Sequence, residues 1–293
     1  MNSSNPKLKR SLGLKALMAT GICSMLGASI NVVPFMIHRS VPGIDSYVLP
    51  AFIFAMLPAF FAALAYGILS SAMPRAGGSY IYASRGLNPY FGFIASFSQW
   101  FGLSIVIGVI AYICVSFIRD VVIGLGFTEA ALLFELPTVK IGISLALIWL
   151  FVFVNIRGAS MYKKTLLPMM YLMFVLGFAV IISGFYFDTS DFVAALQAKE
   201  SKVINIDQIS RFDWRVFLSA SALLFSSFIG FDSIAQAGSE AKNPTKTLPK
   251  AIVLAIFSVG CFYFLFTTAV YHTVPWSFVA EESKLRGISA PGL

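Results

Sequence analysis

Seven long apolar segments decide what this chain can fold into. They cover residues 12–37, 46–72, 91–118, 139–156, 165–187, 215–237 and 249–272. A transmembrane helix needs about 20 mostly apolar residues, and each segment is close to that length or longer. Only 12% of the residues are charged, about half the share of roughly 25% found in soluble domains. The sequence therefore predicts an all-α integral membrane protein, with residues 1–293 forming a single membrane domain in the lipid bilayer.

The basic residues predict which way the segments run. With the N-terminus in the cytoplasm, 12 of the 21 Lys and Arg residues fall in the inner segments, together with a single acid, Glu240. This distribution satisfies the positive-inside rule. We therefore expect a multi-pass protein of the cell (inner or plasma) membrane whose residue 293 lies on the outer side. The shorter segment 121–137, interrupted by Glu129 and Glu135, is expected to form a short helix at the outer surface.

Composition and motifs exclude several other classes of protein. The net charge is +8, but no stretch resembles a basic, aromatic-interleaved nucleic-acid surface, so we expect no nucleic-acid partner. The three cysteines lie in apolar segments without CxxC spacing, and they predict neither a disulfide framework nor a metal site. No Walker A, HExxH or GxSxG motif occurs. The sequence predicts no cofactor and no enzyme, and it indicates neither a coupling ion nor an oligomeric state.

Two of the segments carry features that a simple lipid-facing helix does not need. In the first, small residues cluster at Gly27, Ala28 and Ser29 near mid-membrane. They favour either close helix packing or a place where a ligand reaches the backbone. In the sixth, Gly230 precedes Asp232, and an ionised Asp deep in a bilayer costs about 3 kcal/mol or more. Asp232 is either a contact for a cation or coupling ion, or a structural acid that caps an unwound helix end.

The positions of these two segments predict a transport site. They are five segments apart, as corresponding helices of two five-helix repeats would be, and interrupted helices at matching positions point to a transporter's central site. A helix that unwinds there exposes N–H groups at one end and C=O groups at the other, each end carrying about half an elementary charge. A zwitterion fits between such ends. The predicted substrate is therefore an α-amino acid.

Three motifs resemble the amino acid–polyamine–organocation (APC) family of permeases. They are GICSMLGASI (21–30), SSAMPRAGGSYIYASRGLNPYFGFIASFSQW (70–100) and FSSFIGFDSIAQAGSEAKNPTKTLPKAI (225–252). The first is similar to the family's first-helix pattern, the second to its loop after helix two, and the third to its sixth-helix motif. The resemblance implies a LeuT-type inverted-repeat fold, here incomplete with helices 1–7, and with helices 1 and 6 unwound at mid-membrane. Residues 12–187 would form the first repeat and residues 215–272 the start of the second.

The resemblance also implies roles for individual residues. Gly27, Ala28 and Ser29 would bind the substrate carboxylate, while the sixth-helix segment would face the amino group and shape the pocket. That segment comprises Phe228, Ile229 and Gly230, followed by Phe231 as a pocket or gate aromatic and by Asp232. The inner gate would involve Arg75, Glu240 and Lys242.

Departures from the family pattern leave alternatives open. Some members carry a proton-coupling Lys on the fifth helix, and the corresponding position here is Met173, so proton coupling through that Lys is not expected. The sequence ends where an eighth helix would begin, which leaves a truncated or degenerate, non-transporting permease remnant as an alternative. A polyamine or other organic-cation antiporter is a further alternative.

Overall fold

The computed structural model describes residues 10–27, 30, 33–200 and 211–286 of the chain. In this part of the chain the regular structure is helical, and one isolated β-bridge joins Leu12 to Ala241. The described α-helices are α1 Leu14–Met25, α2 Val33–Ser40, α3 Val48–Ala72, α4 Ser79–Gly86, α5 Pro89–Gly124, α6 Thr128–Leu133, α7 Pro137–Ile156, α8 Ala159–Tyr186, α9 Thr189–Glu200, α10 Trp214–Phe225, α11 Asp232–Gln236, α12 Pro244–Thr273 and α13 Trp276–Arg286.

Six helical stretches of the described chain are long and apolar enough to cross a membrane. They coincide with six of the seven predicted spans and comprise Asp45–Ala72, Pro89–Gly124, Pro137–Ile156, Ser160–Tyr186, Trp214–Ser239 and Pro244–Thr273. The predicted first span, 12–37, instead contains α1 and the first five residues of α2, and these helices are 12 and 8 residues long. The all-α, multi-pass prediction is confirmed.

Some element boundaries differ from the sequence expectation. Helix α5 continues six residues beyond 118, to Gly124. Arg119 near its end forms ion pairs with Asp120 at 2.7 Å and Glu135 at 3.1 Å. Because these charges are paired, the polar residues do not end the helix. The short helix predicted within 121–137 therefore begins only at Thr128.

Local sequence signals explain where several helices start. The side chain of Asn88 accepts a hydrogen bond from the Phe91 amide at 3.1 Å, and Pro89 occupies the first helical position of α5. Pro137 begins α7 in the same way. The carboxylate of Asp213 accepts from the Arg215 amide at 2.8 Å at the start of α10. Asn and Asp caps satisfy amides that lack a partner within the helix, and Pro has no amide to satisfy.

The chain divides into two compact units, which we describe separately. Unit 1 contains Met1–Thr20, Ala65–Leu167 and Asp232–Ile252. Within it, α4 and α7 pack against α5, and α11 packs against α4. Most side chains on α5 and α7 are exposed, among them Ile110 and Trp149. Apolar side chains exposed in this way suit a helix surface that lipid covers.

Unit 2 contains Gly21–Leu64, Pro168–Phe231 and Val253–Leu293. Its helices approach closely where glycines face a neighbour. A Cβ added at Gly184 of α8 would lie 2.5 Å from the Ala269 carbonyl oxygen of α12, and one added at Gly177 would lie 2.3 Å from the Phe262 ring. Such close approach through small residues is typical of helix packing in membranes. The predicted division into repeats stays a prediction.

Candidate functional site

The first predicted span is interrupted at its small-residue cluster. Helix α1 ends at Met25, Gly27 has a φ of +31°, and helix α2 begins at Val33. Gly27 is exposed. Of the three residues predicted to bind a carboxylate, only Gly27 can be placed, because Ala28 and Ser29 lie outside the described residues.

The sixth predicted span is interrupted at its glycine. Helix α10 ends at Phe225, a 3₁₀ turn follows over Ser226–Phe228, and Ile229 is extended with φ −69° and ψ 130°. Gly230 has a φ of +130°, and α11 begins at Asp232. Only glycine adopts that φ without strain. The helix is therefore interrupted at the residue that the sequence singled out.

Both interruptions contribute to one region of unit 2. A Cβ added at Gly230 would lie 2.8 Å from Cβ of Ser24 and 3.0 Å from the Ser24 carbonyl carbon and oxygen. The backbone at Gly230 therefore rests directly on the last turn of α1. Helix α2 also packs against α10, so the segments that follow the first interruption and precede the second are neighbours as well.

The side chains around the sixth-span interruption alternate between buried and exposed. Phe228 and Phe231 are buried, whereas Ile229 is 55% exposed. The Phe228 ring lies 6.0 Å from that of Tyr263, whose hydroxyl donates to the Met25 carbonyl at 3.3 Å. Tyr263 therefore connects α12 to both interruptions.

Ser227 was not singled out by the sequence, yet its environment is unusual. Its side-chain oxygen is buried and has no hydrogen-bond partner among the residues that the structure describes. A buried hydroxyl without a partner costs about 1–3 kcal/mol. A polar ligand or water at the interruption would satisfy it. The sequence signal was the Ser pair before Phe228, which is common enough in membrane helices to pass unnoticed.

An apolar cavity of about 290 Å³ lies beside Gly27 in unit 2. Its lining includes Gly27, Ile30, Met173, Gly177, Phe262 and Phe266, and among the described residues no charged side chain contributes to it. The volume is near the lower end of the range for small-molecule sites. Met173, identified from sequence only as the position of an absent lysine, thus lines the same cavity as Gly27.

Asp232 belongs to unit 1, where its carboxylate accepts a hydrogen bond from the side-chain amide of Gln99 on α5. Nearby, the Tyr66 hydroxyl of α3 and the Ser79 hydroxyl at the start of α4 are 2.7 Å apart. Sequence analysis did not select Gln99. The available signal was a neutral amide within an otherwise apolar segment.

The backbones of the predicted gate residues contact neighbouring segments of unit 1. The Leu12 amide donates to the Glu240 carbonyl at 3.0 Å, and the Lys242 amide donates to the Leu12 carbonyl at 2.8 Å. The carbonyl oxygen of Arg75 lies 2.8 Å from the position of a Cβ at Gly238. Within the described ranges the side chains of Arg75, Glu240 and Lys242 form no ion pair. Their role as a gate stays a prediction.

Comparison with known proteins identifies the family. A family model of amino acid permeases matches residues 12–290. The chain is 26% identical over 297 residues to the branched-chain amino acid permease BcaP of Bacillus subtilis (strain 168), covering 94% of this chain and 57% of that relative. It is 24% identical over 290 residues to the cadaverine/lysine antiporter of Escherichia coli (strain K12), covering 96% of this chain and 58% of that relative.

The chain thus spans less than three fifths of the length of these curated relatives. The family model, in contrast, covers nearly all of the chain. The resemblance that the three motifs indicated is confirmed, and the chain belongs to the amino acid permease family.

Proposed function

We propose that this chain acts in a secondary transporter that moves amino acids across the cytoplasmic membrane. The substrate is held by backbone groups where the first and sixth spans unwind within a LeuT-type fold. The observation that carries the proposal is the contact of Gly230 with the last turn of α1, at Ser24. At each interruption one helical segment ends with its carbonyl groups and the next begins with its amide groups, so an interrupted span offers both partial charges to a ligand.

The chemistry of this region suits the two charged groups of an amino acid. Helix α1 ends there with its carbonyl groups, which attract an ammonium group. Gly27 and the predicted partners Ala28 and Ser29 offer a backbone without bulky side chains, where a carboxylate can approach amides directly. Ser227 adds a buried hydroxyl that lacks a partner in the described part of the chain. Phe228, Ile229, Gly230 and Phe231 shape the remaining wall.

The apolar cavity beside Gly27 favours an amino acid with an aliphatic side chain. The lining that the structure describes offers Met173, Phe262 and Phe266 but no acid that would pair with a cationic side chain. One relative is named as a branched-chain amino acid permease and the other as a cadaverine/lysine antiporter. The cavity supports the first of these two substrate classes, and a cationic substrate is the alternative.

The proposed transporter is tested by reconstituting the purified chain in liposomes. Radiolabelled leucine and lysine are supplied outside, with the same unlabelled amino acid inside, so that exchange is detected without any driving ion. We expect leucine exchange well above that of empty liposomes and at least about tenfold faster than lysine exchange. That factor corresponds to about 1.4 kcal/mol, within the range for placing an apolar side chain in a matching cavity.

Each possible result has a definite meaning. Faster lysine exchange would overturn the aliphatic assignment and favour the cation antiporter. If neither leucine, lysine nor a mixture of the other amino acids exchanges, the chain does not transport by itself, and the non-transporting alternative holds. The same assay with the Gly230 variant described in the Discussion links any observed exchange to the proposed site.

A further inference from the structure

One end of unit 1 carries a group of exposed basic side chains with almost no acid among them. The segments 10–15, 73–76 and 237–250 contain six basic residues and one acid, Glu240, which is half-buried. All six basic residues are exposed, and they are Arg10, Lys15, Arg75, Lys242, Lys246 and Lys250. In the part of the chain that the structure describes, none of the six forms an ion pair. Their charge is therefore not neutralised by the described protein.

Backbone contacts bring these three segments together. The Leu12 amide donates to the Glu240 carbonyl oxygen, and the Lys242 amide donates to the Leu12 carbonyl oxygen. The Ala76 amide donates to the hydroxyl of Ser239 at 2.9 Å. The three segments therefore meet, and we call the six basic side chains that they carry the basic patch.

Two lysines of the basic patch lie where a positive charge is unfavourable for the helix itself. Lys15 is the second residue of α1 and Lys246 is the third residue of α12, and neither helix has an acid in its first turn. The N-terminus of a helix carries a partial positive charge, which a cation destabilises and an anion stabilises. The charges of the lysines and of the helix ends therefore add, and the arrangement attracts an anion.

The basic patch lies at the ends of helical stretches that can cross a membrane. Arg75 is three residues beyond the end of Asp45–Ala72. Lys246 and Lys250 are among the first seven residues of Pro244–Thr273. Long basic side chains near the ends of spans extend to the headgroup level of a bilayer. Anionic lipids give the cytoplasmic leaflet a negative surface, which attracts clusters of Lys and Arg beside a membrane-spanning helix.

Exposed apolar surface begins next to the basic patch. A Cβ added at Gly67 of α3 would lie 3.6 Å from Cα of Pro249, which directly precedes Lys250. The next residue of α3, Ile68, is 71% exposed. An anion held by the lysines would therefore have apolar side chains beside it. A phospholipid has both a charged and an apolar part, whereas inorganic phosphate has the charge alone, so the surroundings favour a lipid.

We propose that the basic patch binds the phosphate headgroup of an anionic phospholipid. Lys246 and Lys250 act as point charges toward the phosphate, and the planar guanidinium of Arg75 can donate two parallel hydrogen bonds to it. The acyl chains lie against exposed apolar side chains such as Ile68. With the predicted orientation, the lipid belongs to the cytoplasmic leaflet. Lipid binding of this kind does not require transport.

The test counts bound lipids by native mass spectrometry of the purified protein in a neutral detergent. Phosphatidylglycerol and phosphatidylcholine with the same acyl chains are titrated separately, each with and without an excess of inorganic phosphate. Lys246→Gln combined with Lys250→Gln removes two charges of the basic patch. Lys163→Gln combined with Lys164→Gln is the matched control, because it removes two exposed lysines of unit 1 that lie near the start of α8, in none of the three segments.

We expect wild type to bind phosphatidylglycerol at least about tenfold more tightly than phosphatidylcholine, because several basic residues contribute. The double variant at Lys246 and Lys250 should lose at least about fivefold in affinity for phosphatidylglycerol, the contribution of one such charge. The control should stay within about twofold of wild type, well below that one-charge contribution. Without lipid, the unfolding temperature of the double variant should not fall, because Lys246 is unfavourable at its helix end.

Three results would overturn the proposal. Equal affinities for the two lipids would show that the headgroup charge is not recognised. Unchanged phosphatidylglycerol binding in the double variant, or an equal loss in the control, would show that the basic patch is not the site. Complete displacement of the lipid by inorganic phosphate would identify a soluble anion as the ligand. The proposed transport function would stand after any of these results, because the liposome exchange assay measures it independently.

Discussion

At the scale of single residues, position 230 is the one where a residue other than glycine is least tolerated. Gly230→Ala would place a methyl group 2.8 Å from the Ser24 side chain at a φ of +130°. The neighbouring backbone must shift because the methyl group would be too close to Ser24. The strained φ adds a cost of about 1–3 kcal/mol. We expect leucine exchange to fall at least tenfold in reconstituted liposomes.

Gly108→Ala is the matched control for that substitution. Gly108 lies in α5, and no described atom outside its own stretch of helix backbone lies within 4 Å of a Cβ there. Ala is favoured over Gly in a helix by about 1 kcal/mol. This control should keep full exchange and unfold at an equal or slightly higher temperature. If the Gly230→Ala variant exchanges leucine at the wild-type rate, there is no substrate site at this interruption.

A substitution of Ser227 distinguishes an effect on substrate binding from an effect on stability. The Ser227 hydroxyl has no partner in the described part of the protein, so Ser227→Ala removes an unsatisfied group and should not lower the unfolding temperature. If a substrate group bonds this hydroxyl, KM for leucine rises about fivefold, equivalent to about 1 kcal/mol. Thr267→Val, at another buried hydroxyl without a described partner, is the control. Equal KM values for all three proteins would contradict a role in binding.

Three of the residues that sequence analysis singled out are unusual in a lipid-facing helix. They are Gly27, Gly230 and Asp232, and both glycines have positive φ values. Gln99 and Ser227 are not unusual in this sense, because a single amide or hydroxyl is common in a membrane helix. What distinguishes them is tertiary structure: Gln99 donates to Asp232, and Ser227 is buried without a hydrogen-bond partner in the described part of the chain. Met173 was located by its spacing, but the cavity that it lines depends on how α8 packs against α12.

At the scale of helices, apolar length and periodicity predicted which helices are present better than the residues at which they begin and end. Six spans were recognised because lipid requires a minimum apolar length. Helix α9, Thr189–Glu200, was missed because it lies in a polar connection where length carries no such constraint. The end of α5 was placed too early because the ion pairs of Arg119 with Asp120 and Glu135 depend on tertiary structure.

The β-bridge at Leu12 predicts how the N-terminal segment is held. The Leu12 amide donates to Glu240, and Pro at this position would remove that donor. Leu12→Pro should therefore expose Ala241, which is fully buried. In an Ala241→Cys background, we expect labelling by a membrane-impermeant maleimide from the inner side to accelerate at least about fivefold, the equivalent of losing one hydrogen bond.

Ser11→Pro provides the control for the test of the β-bridge at Leu12. Ser11 is adjacent to Leu12 and contributes no backbone hydrogen bond to the bridge, so it should leave the labelling rate of Ala241→Cys unchanged. Native Cys23, Cys114 and Cys261 lie in apolar segments, and their background labelling is measured in the unsubstituted protein. Equal labelling for Leu12→Pro and Ser11→Pro would show that the bridge does not hold the N-terminal segment.

At the scale of the whole molecule, the distribution of charge should fix the orientation in the membrane. Lys164 lies in the exposed start of α8, next to Lys163 and close to Arg157, whereas Glu129 lies in the exposed short helix α6. Basic residues flanking a span are retained on the inner side during insertion. Intact cells treated with an impermeant maleimide should therefore label Glu129→Cys, and label Lys164→Cys only after permeabilisation.

The opposite labelling pattern would reverse the proposed orientation without changing the fold, because all long helices cross equally well in either direction. Such a reversal would put Leu12, Arg75 and Glu240 on the outer side, so the predicted gate residues would lie at the opposite entrance. Replacing Lys163 and Lys164 together by Gln tests the cause directly. It removes two of the inner charges, so a mixed labelling pattern would identify those charges as what sets the direction of insertion.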